Sequence, residues 1–304
     1  MRDTVNRVMK KHPIWQIMVS MIFTIIALTL GGCAIDVSTA TFVHQDNEVT
    51  PIDTTQLHQR VNQDEAEVSI TTVQLTNAQG IMLKGIAVSY PEPVVNIVFF
   101  GGNGMTISKS SGLMHQFGKI PANILWVDYQ GMGSSQKAPG MRMANIKADA
   151  LQIYDYGKSV FPGNLPTVVH GLSMGSIVAS YVASVREVDG LVLDGAINRI
   201  TDVAQNMIPQ WTRYFTYLSV SADLAMVDNA DYIRNYHGPL LILAGRDDEL
   251  TPVAFGRELY DVSPSYNKEI IVVPGARHAE NMEHRKVVPR YREFLQSFEL
   301  YPGY

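Results

Sequence analysis

Gly171-Leu172-Ser173-Met174-Gly175 constrains this chain more than any other five residues. An apolar run, Thr167-Val168-Val169, precedes it. A small-residue stretch, Ser176-Ile177-Val178-Ala179-Ser180-Tyr181-Val182-Ala183, follows and reads as a helix. The order predicts a strand, a tight turn with serine at its apex, and a helix, which is the context a G-x-S-x-G turn requires. Bulky side chains on either flank of such a turn would clash, and Gly171 and Gly175 remove them. The serine hydroxyl then stands clear of the sheet, with the free N–H groups of the helix N-terminus pointing at whatever reacts there.

A serine hydroxyl is a poor nucleophile at neutral pH and needs a base, usually a histidine held by a carboxylate. Two later apolar runs end in such groups. Pro239-Leu240-Leu241-Ile242-Leu243-Ala244 leads into Gly245-Arg246-Asp247-Asp248-Glu249-Leu250-Thr251-Pro252. Glu269-Ile270-Ile271-Val272-Val273 leads into Pro274-Gly275-Ala276-Arg277-His278. Both place titratable groups just past buried-type strands, where ligands bind over an open parallel sheet. Asp247, Asp248 and Glu249 compete as the acid. Asp194, after Leu191-Val192-Leu193, is a further strand-end carboxylate, whose other role is a hydrogen bond to nearby loop amides. His170 lies on the strand before the turn and reads as a packed residue. His44, His58, His115, His237 and His284 read as surface or structural.

In these segments the chain resembles the α/β-hydrolase superfamily of serine hydrolases. The family's acid segment runs Gly-x-x-Asp-x-x-x-Pro, matched by Gly245, Asp248 and Pro252, so the resemblance selects Asp248. Its histidine follows a short glycine-bearing turn, matched by Gly275-Ala276-Arg277-His278. Val94 to Phe100 followed by Gly101-Gly102-Asn103-Gly104 resembles the family's oxyanion loop, with Gly101 where histidine is common. That departure bears on loop rigidity. Asp128-Tyr129-Gln130-Gly131-Met132-Gly133-Ser134-Ser135 resembles the glycine-rich loop after the fourth strand. The resemblance spans roughly residues 68–298. It implies a mostly parallel, doubly wound α/β sheet of about eight strands with a small helical cap. It also implies Ser173, His278 and Asp248 as catalytic residues, and the backbone N–H groups of Asn103 and Met174 as the oxyanion hole.

The chain begins with Arg2, Arg7, Lys10 and Lys11, continues through an apolar stretch from Ile14 to Leu30, and reaches Gly31-Gly32-Cys33. A basic start, an apolar centre and small residues at a cut site mark an export signal. Leu30-Gly31-Gly32-Cys33 also resembles a bacterial lipoprotein lipobox, which implies lipidation of Cys33 as the first mature residue. Ala34 after it implies sorting to the outer membrane in a Gram-negative cell. The alternative is an uncleaved anchor, although the stretch is short for a span of about 20 residues and is interrupted by Gln16, Ser20, Thr24 and Thr29. In either case the positive-inside bias places the remaining chain beyond the cytoplasmic membrane. Cys33 is the only cysteine, so no intramolecular disulfide forms.

Residues 1–32 are therefore expected as a lipoprotein signal peptide, 33–65 as a polar tether and 66–304 as the α/β domain. Arg2, Arg7, Lys10, Lys11 and Asp3 hold +3 of the formal charge of -5, leaving -8 on residues 33–304. An acidic domain argues against nucleic acid, which needs a basic face. Gly101-Gly102-Asn103-Gly104 fails the dinucleotide spacing, since Ile107 stands at the third glycine position. Val68–Gln74 and Met82–Tyr90, joined by the turn Asn77-Ala78-Gln79-Gly80, predict an antiparallel edge pair.

The segment from about 198 to 236 is too long for a simple crossover and is expected to form the cap. Trp211, Tyr214, Phe215 and Leu218 recur at i, i+3, i+4 and i+7, which predicts one face of a helix. The expected activity is hydrolysis of an ester-type acyl bond in a small-molecule or lipid substrate, without a cofactor. Peptidase, thioesterase and acyltransferase chemistries use the same constellation. A non-catalytic envelope lipoprotein that uses the fold for binding is the reading from another class.

Overall fold

The computed structural model describes residues 33–61, 67–137, 140–161 and 163–300. The expected signal peptide, residues 1–32, lies outside the described residues. Ten strands follow in chain order: β1 Cys33–Val37, β2 Ser69–Thr76, β3 Met82–Ser89, β4 Val95–Phe100, β5 Ala122–Val127, β6 Thr167–Leu172, β7 Gly190–Asp194, β8 Thr216–Val220, β9 Leu240–Gly245 and β10 Lys268–Val273.

Eight of them form one sheet in the order β2-β3-β5-β4-β6-β7-β9-β10. Pairing is antiparallel from β2 to β3 and from β3 to β5, and parallel from there to β10. The expected mostly parallel doubly wound sheet is present, with its antiparallel pair at one edge. β4, β5, β6 and β9 are buried at every position, which continuous apolar runs require when helices cover both faces.

Alternation along the strands divides the core in two. Val98, Phe100, Leu125 and Val169 face the helices Met143–Val160 and Met174–Val185. Ile97, Phe99, Ile124 and Val168 face the opposite cluster with Phe117, Tyr291 and Phe294. The Met174–Val185 helix follows the serine turn, as the small-residue stretch predicts, and the Val253–Val262 helix starts after Pro252.

Two expectations need correction. Residues 33–61 do not form a bare tether: they contain β1, the short helix Thr39–Phe42 and the helix Thr54–Val61. Val43, Leu57 and Val61 are buried, so a few apolar anchors dock a segment that is polar on average. Asp53 starts the second helix by accepting from the N–H groups of Thr55 (3.0 Å) and Gln56 (3.1 Å). The second correction concerns the cap. Residues 210–215 form a 3₁₀ turn and 216–220 form β8, in place of one amphipathic helix. Pro209 fixes the start of the turn, and Thr216-Tyr217-Leu218-Ser219-Val220 carries the β-branched and aromatic residues that suit a strand. β8 pairs in parallel with β1, Cys33 beside Thr216 and Val37 beside Val220. Thr39 adds a side-chain hydrogen bond to Asp223.

Candidate active site

Ser173, Asp248 and His278 follow the C-terminal ends of β6, β9 and β10, and the fold brings all three together. Ser173 has φ 54° and ψ -118°, a conformation rare for a residue with a side chain. Its neighbours hold it there. A Cβ at Gly175 would lie 1.9 Å from the carbonyl oxygen of Phe100, and one at Gly171 would lie 2.2 Å from the carbonyl oxygen of Gly175. The Ser173 N–H donates to the Asp194 carbonyl at 2.8 Å, and Ser176 Oγ donates to the Ser173 carbonyl at 2.6 Å.

The Ser173 hydroxyl is 2.9 Å from His278 Nε2, and His278 Nδ1 is 2.9 Å from Asp248 Oδ2. Asp248 has further donors. Its Oδ1 accepts from the N–H groups of Leu250 (2.9 Å) and Thr251 (2.8 Å), and its Oδ2 accepts from Thr251 Oγ1 at 2.6 Å. Thr251 Oγ1 also lies 3.1 Å from His278 Nδ1. Burial pushes the Asp248 carboxyl up, but the hydrogen bonds from His278 and Thr251 outweigh it and hold the group below its ordinary value. It is therefore a carboxylate at neutral pH. As an acceptor it fixes the proton on Nδ1 and leaves Nε2 free to accept from the serine. Asp247 and Glu249 point into solvent, so the geometry selects Asp248 among the three candidates.

The acid and base loops cross over the end of β7 to reach Ser173. Gly195 lies beneath them at φ 54°, a backbone conformation that favours glycine, and a Cβ there would make ordinary contact with His278 Cε1 and Asp248 Oδ2. Hydrogen bonds from Arg246 N–H to the Val273 carbonyl (2.9 Å) and from Asp247 N–H to the Ala276 carbonyl (3.0 Å) join the two loops. The Asp248 side chain is fully buried while that of His278 is 28% exposed, so a ligand can reach the base but not the acid.

Asp194 does not orient this histidine. Its Oδ1 accepts from Asn281 Nδ2 at 2.7 Å, not from loop amides, and its Oδ2 lies 3.8 Å from His170 Nε2. His170 is packed as expected, stacked on Tyr291 and edge-on to Phe99 and Phe117. Thr251 and Ser176 were not singled out from the sequence. The only sequence signal for Thr251 is a hydroxyl three residues after an aspartate, the spacing of a local side-chain turn.

Asn103 and Met174, the expected oxyanion donors, flank Ser173. A Cβ on Gly102 would lie 3.3 Å from the Ser173 Cβ, which brings the oxyanion loop against the serine. Met174 is the first residue of its helix and has no intrahelical acceptor for its N–H. The Asn103 side chain is clamped by the N-terminal segment: His44 N–H donates to its Oδ1 at 2.7 Å and its Nδ2 donates to the Phe42 carbonyl at 2.7 Å. This strap supplies restraint to a loop in which Gly101 replaces the common histidine.

Asp46 locks the strap. It accepts from Gly133 N–H at 2.7 Å, His44 Nε2 at 3.1 Å and Lys109 Nζ at 3.1 Å. The Gly133 hydrogen bond foremost, with help from His44 and Lys109, lowers its carboxyl from 3.8 to about 2. A carboxyl depressed in the folded state stabilises that state above its unfolded value, and the contribution disappears as pH falls from about 4 through about 2. Asp46→Asn is expected to speed hydrogen exchange at the Asp46 and Thr50 amides at neutral pH. The difference from wild type should vanish near pH 2. Equal exchange at neutral pH would show that the carboxylate does not hold the strap.

The order of strands, the strained serine and the acid and base on the loops after β9 and β10 decide the architecture. The chain has the α/β-hydrolase fold. The Hydrolase_4 family, described as "Serine aminopeptidase, S33", matches residues 91–235. The human protein ABHD12B is 28% identical over 192 residues, covering 57% of this chain and 52% of that protein. The uncharacterized membrane protein YNL320W of Saccharomyces cerevisiae is 27% identical over 194 residues, covering 62% of this chain and 63% of that protein. The chain thus spans between about half and just under two thirds of the length of these curated relatives. Among solved structures, the Pyrococcus furiosus esterase PF2001 superposes with a TM-score of 0.65 at 19% identity, covering 84% of this chain and 97% of that one. In this α/β-hydrolase fold the cap is the least regular part, and it is joined to the body by β1 and by Asn206 Nδ2 donating to the Leu250 carbonyl at 3.3 Å.

Proposed function

We propose that this chain is an exported, lipid-anchored serine hydrolase that cleaves an ester-type acyl bond through an acyl-enzyme. The observation that carries the reading is the unbroken line from Ser173 Oγ through His278 to Asp248, with both links at 2.9 Å. His278 takes the serine proton as Oγ attacks the carbonyl carbon, and Asp248 stabilises the resulting imidazolium. The Asn103 and Met174 N–H groups receive the oxyanion. A single donor of this kind contributes about 10²–10³ in rate where it has been removed by mutation. His278 then protonates the leaving group, and water, deprotonated by the same imidazole, releases the acid. Thr251 acts as a positioning residue that keeps Asp248 ionised and aimed at Nδ1.

A fluorophosphonate probe tests this. The folded wild-type protein is expected to carry the probe on the peptide containing Ser173, and the His278→Ala protein is expected to lack it. Folded wild type that stays unlabelled would favour the non-catalytic binding reading. The description of the matching family favours amide cleavage as a second reading. Acyl esters of increasing length, assayed beside aminoacyl amides, separate the two.

For the anchor, the basic start, the apolar stretch and Gly31-Gly32-Cys33 support lipidation at Cys33, with the outer membrane as destination in a Gram-negative cell. The mass of the mature N-terminus checks it: an acylated Cys33 is expected, and an intact Met1 or unmodified Cys33 would remove the lipoprotein reading.

A further inference from the structure

The cap carries an apolar face that nothing among the described residues covers. Trp211 is 78% exposed, Tyr214 90%, Tyr217 72% and Met226 77%, with Met207 and Phe215 also exposed. Scattered exposed apolar residues are ordinary, but Met207, Trp211 and Phe215 line one groove together, and a contiguous apolar patch marks an interaction surface. Its charge is equally unusual. From Val203 to Ala222 the only charged residue is Arg213, in a chain whose formal charge is -5. Arg213 turns back onto the cap, where Nε donates to the Ile208 carbonyl at 2.9 Å. The 3₁₀ turn and β8 therefore hold no carboxylate, while Asp36 lines the adjoining groove and Asp223 is exposed on the next turn of chain.

Position decides what meets this face. β1 begins at Cys33, and Cys33 lies beside Thr216, directly after Tyr214 and Phe215. The 32 residues before Cys33 contain the apolar stretch Ile14–Leu30. The chain thus reaches the body at the edge of the aromatic cluster, whether Cys33 carries a lipid or the stretch remains attached. A groove of about 670 Å³ runs between the two partners, lined by Ile35, Val37 and Phe42 from the N-terminal side and by Met207, Trp211 and Leu218 from the cap. The Phe42 carbonyl accepts from Asn103 Nδ2, which ties one wall of the groove to the loop after β4.

We propose that the cap rim built from Met207, Trp211, Tyr214 and Phe215 docks on a lipid bilayer, with the groove opening towards it. Trp and Tyr suit the boundary layer, where one end of the ring is apolar and the other wet. The inference rests on the membrane anchor proposed above, but not on hydrolysis.

The test uses the full chain with Trp15→Phe, in vesicles of phosphatidylcholine and phosphatidylglycerol containing a lipid brominated near the headgroup end of its tail. Trp126 is 1% exposed, so the quenchable emission belongs to Trp211. After flotation with the vesicles, brominated lipid is expected to remove most of the Trp211 emission, and aqueous iodide little of it. Adding Met207→Glu and Tyr214→Glu should reverse both results with an unchanged unfolding temperature. Flotation with Trp211 quenched by iodide alone would keep the anchor and overturn the docking. Failure to float would overturn both. Shielding from both quenchers with a doubled mass would overturn the docking in favour of self-association.

Discussion

Ser173→Ala is expected to lower kcat by about 10⁶-fold, the size of loss seen when the nucleophile of a serine triad is removed. KM should change far less, because the side chain is only 6% exposed and alanine keeps the Cβ that packs beside Gly102. Stability should be preserved or slightly raised, since the strained φ of 54° remains but a buried hydroxyl is lost. His278→Ala should cost nearly as much, and the double variant little more than either single one, because the two groups act as a unit. Additive losses would mean that Ser173 and His278 serve separate roles. Steady-state kinetics on a short soluble ester, beside thermal unfolding, reads both quantities.

Gly175→Ala is expected to cost at least about 3 kcal/mol of folding stability, the upper end for overpacking, because the new Cβ would meet backbone and not a movable side chain. Phe100 O at 1.9 Å and Gly101 O at 2.8 Å both belong to the end of β4 and the oxyanion loop. Any relief must therefore push the serine turn away from that loop, so kcat should fall with stability. Gly112→Ala is the control. Nothing lies within 4 Å of its Cβ position and the residue sits in a 3₁₀ turn, so the change should stay within about 0.5 kcal/mol. Urea unfolding of the two variants compares them. Equal midpoints would refute the close approach at the elbow.

Much of this arrangement was legible because it rests on local patterns. The strand ends at Leu172, Gly245 and Val273 follow from apolar runs that stop at glycine, proline or charge. Ser173, Asp248 and His278 could be placed on one rim of the sheet from that alone. The proton line between them needed coordinates, whereas the Gly-x-x-Asp-x-x-x-Pro resemblance already selected Asp248 over Asp247 and Glu249, and its burial and hydrogen bonds agree. The misread elements depend on distant partners. Trp211, Tyr214, Phe215 and Leu218 keep helical spacing, yet residues 216–220 are a strand because β1 lies alongside. Asp46 looks like any polar residue until Gly133, His44 and Lys109 surround it. Asn281 is known as the partner of Asp194 only through a hydrogen bond between residues 87 positions apart, which sequence spacing does not encode.

The pairing of β1 with β8 sets an order of events during biosynthesis. Cys33 and Thr216 are 183 positions apart, and a ribosome adds about 5–20 residues per second. The first strand is therefore made on the order of ten to forty seconds before its partner emerges. Through that interval it lacks its partner, close in sequence to the apolar stretch Ile14–Leu30. The finished cap is sealed only when an early strand meets one made long after it, so a pause in translation ahead of Thr216 would prolong the time β1 spends without its partner.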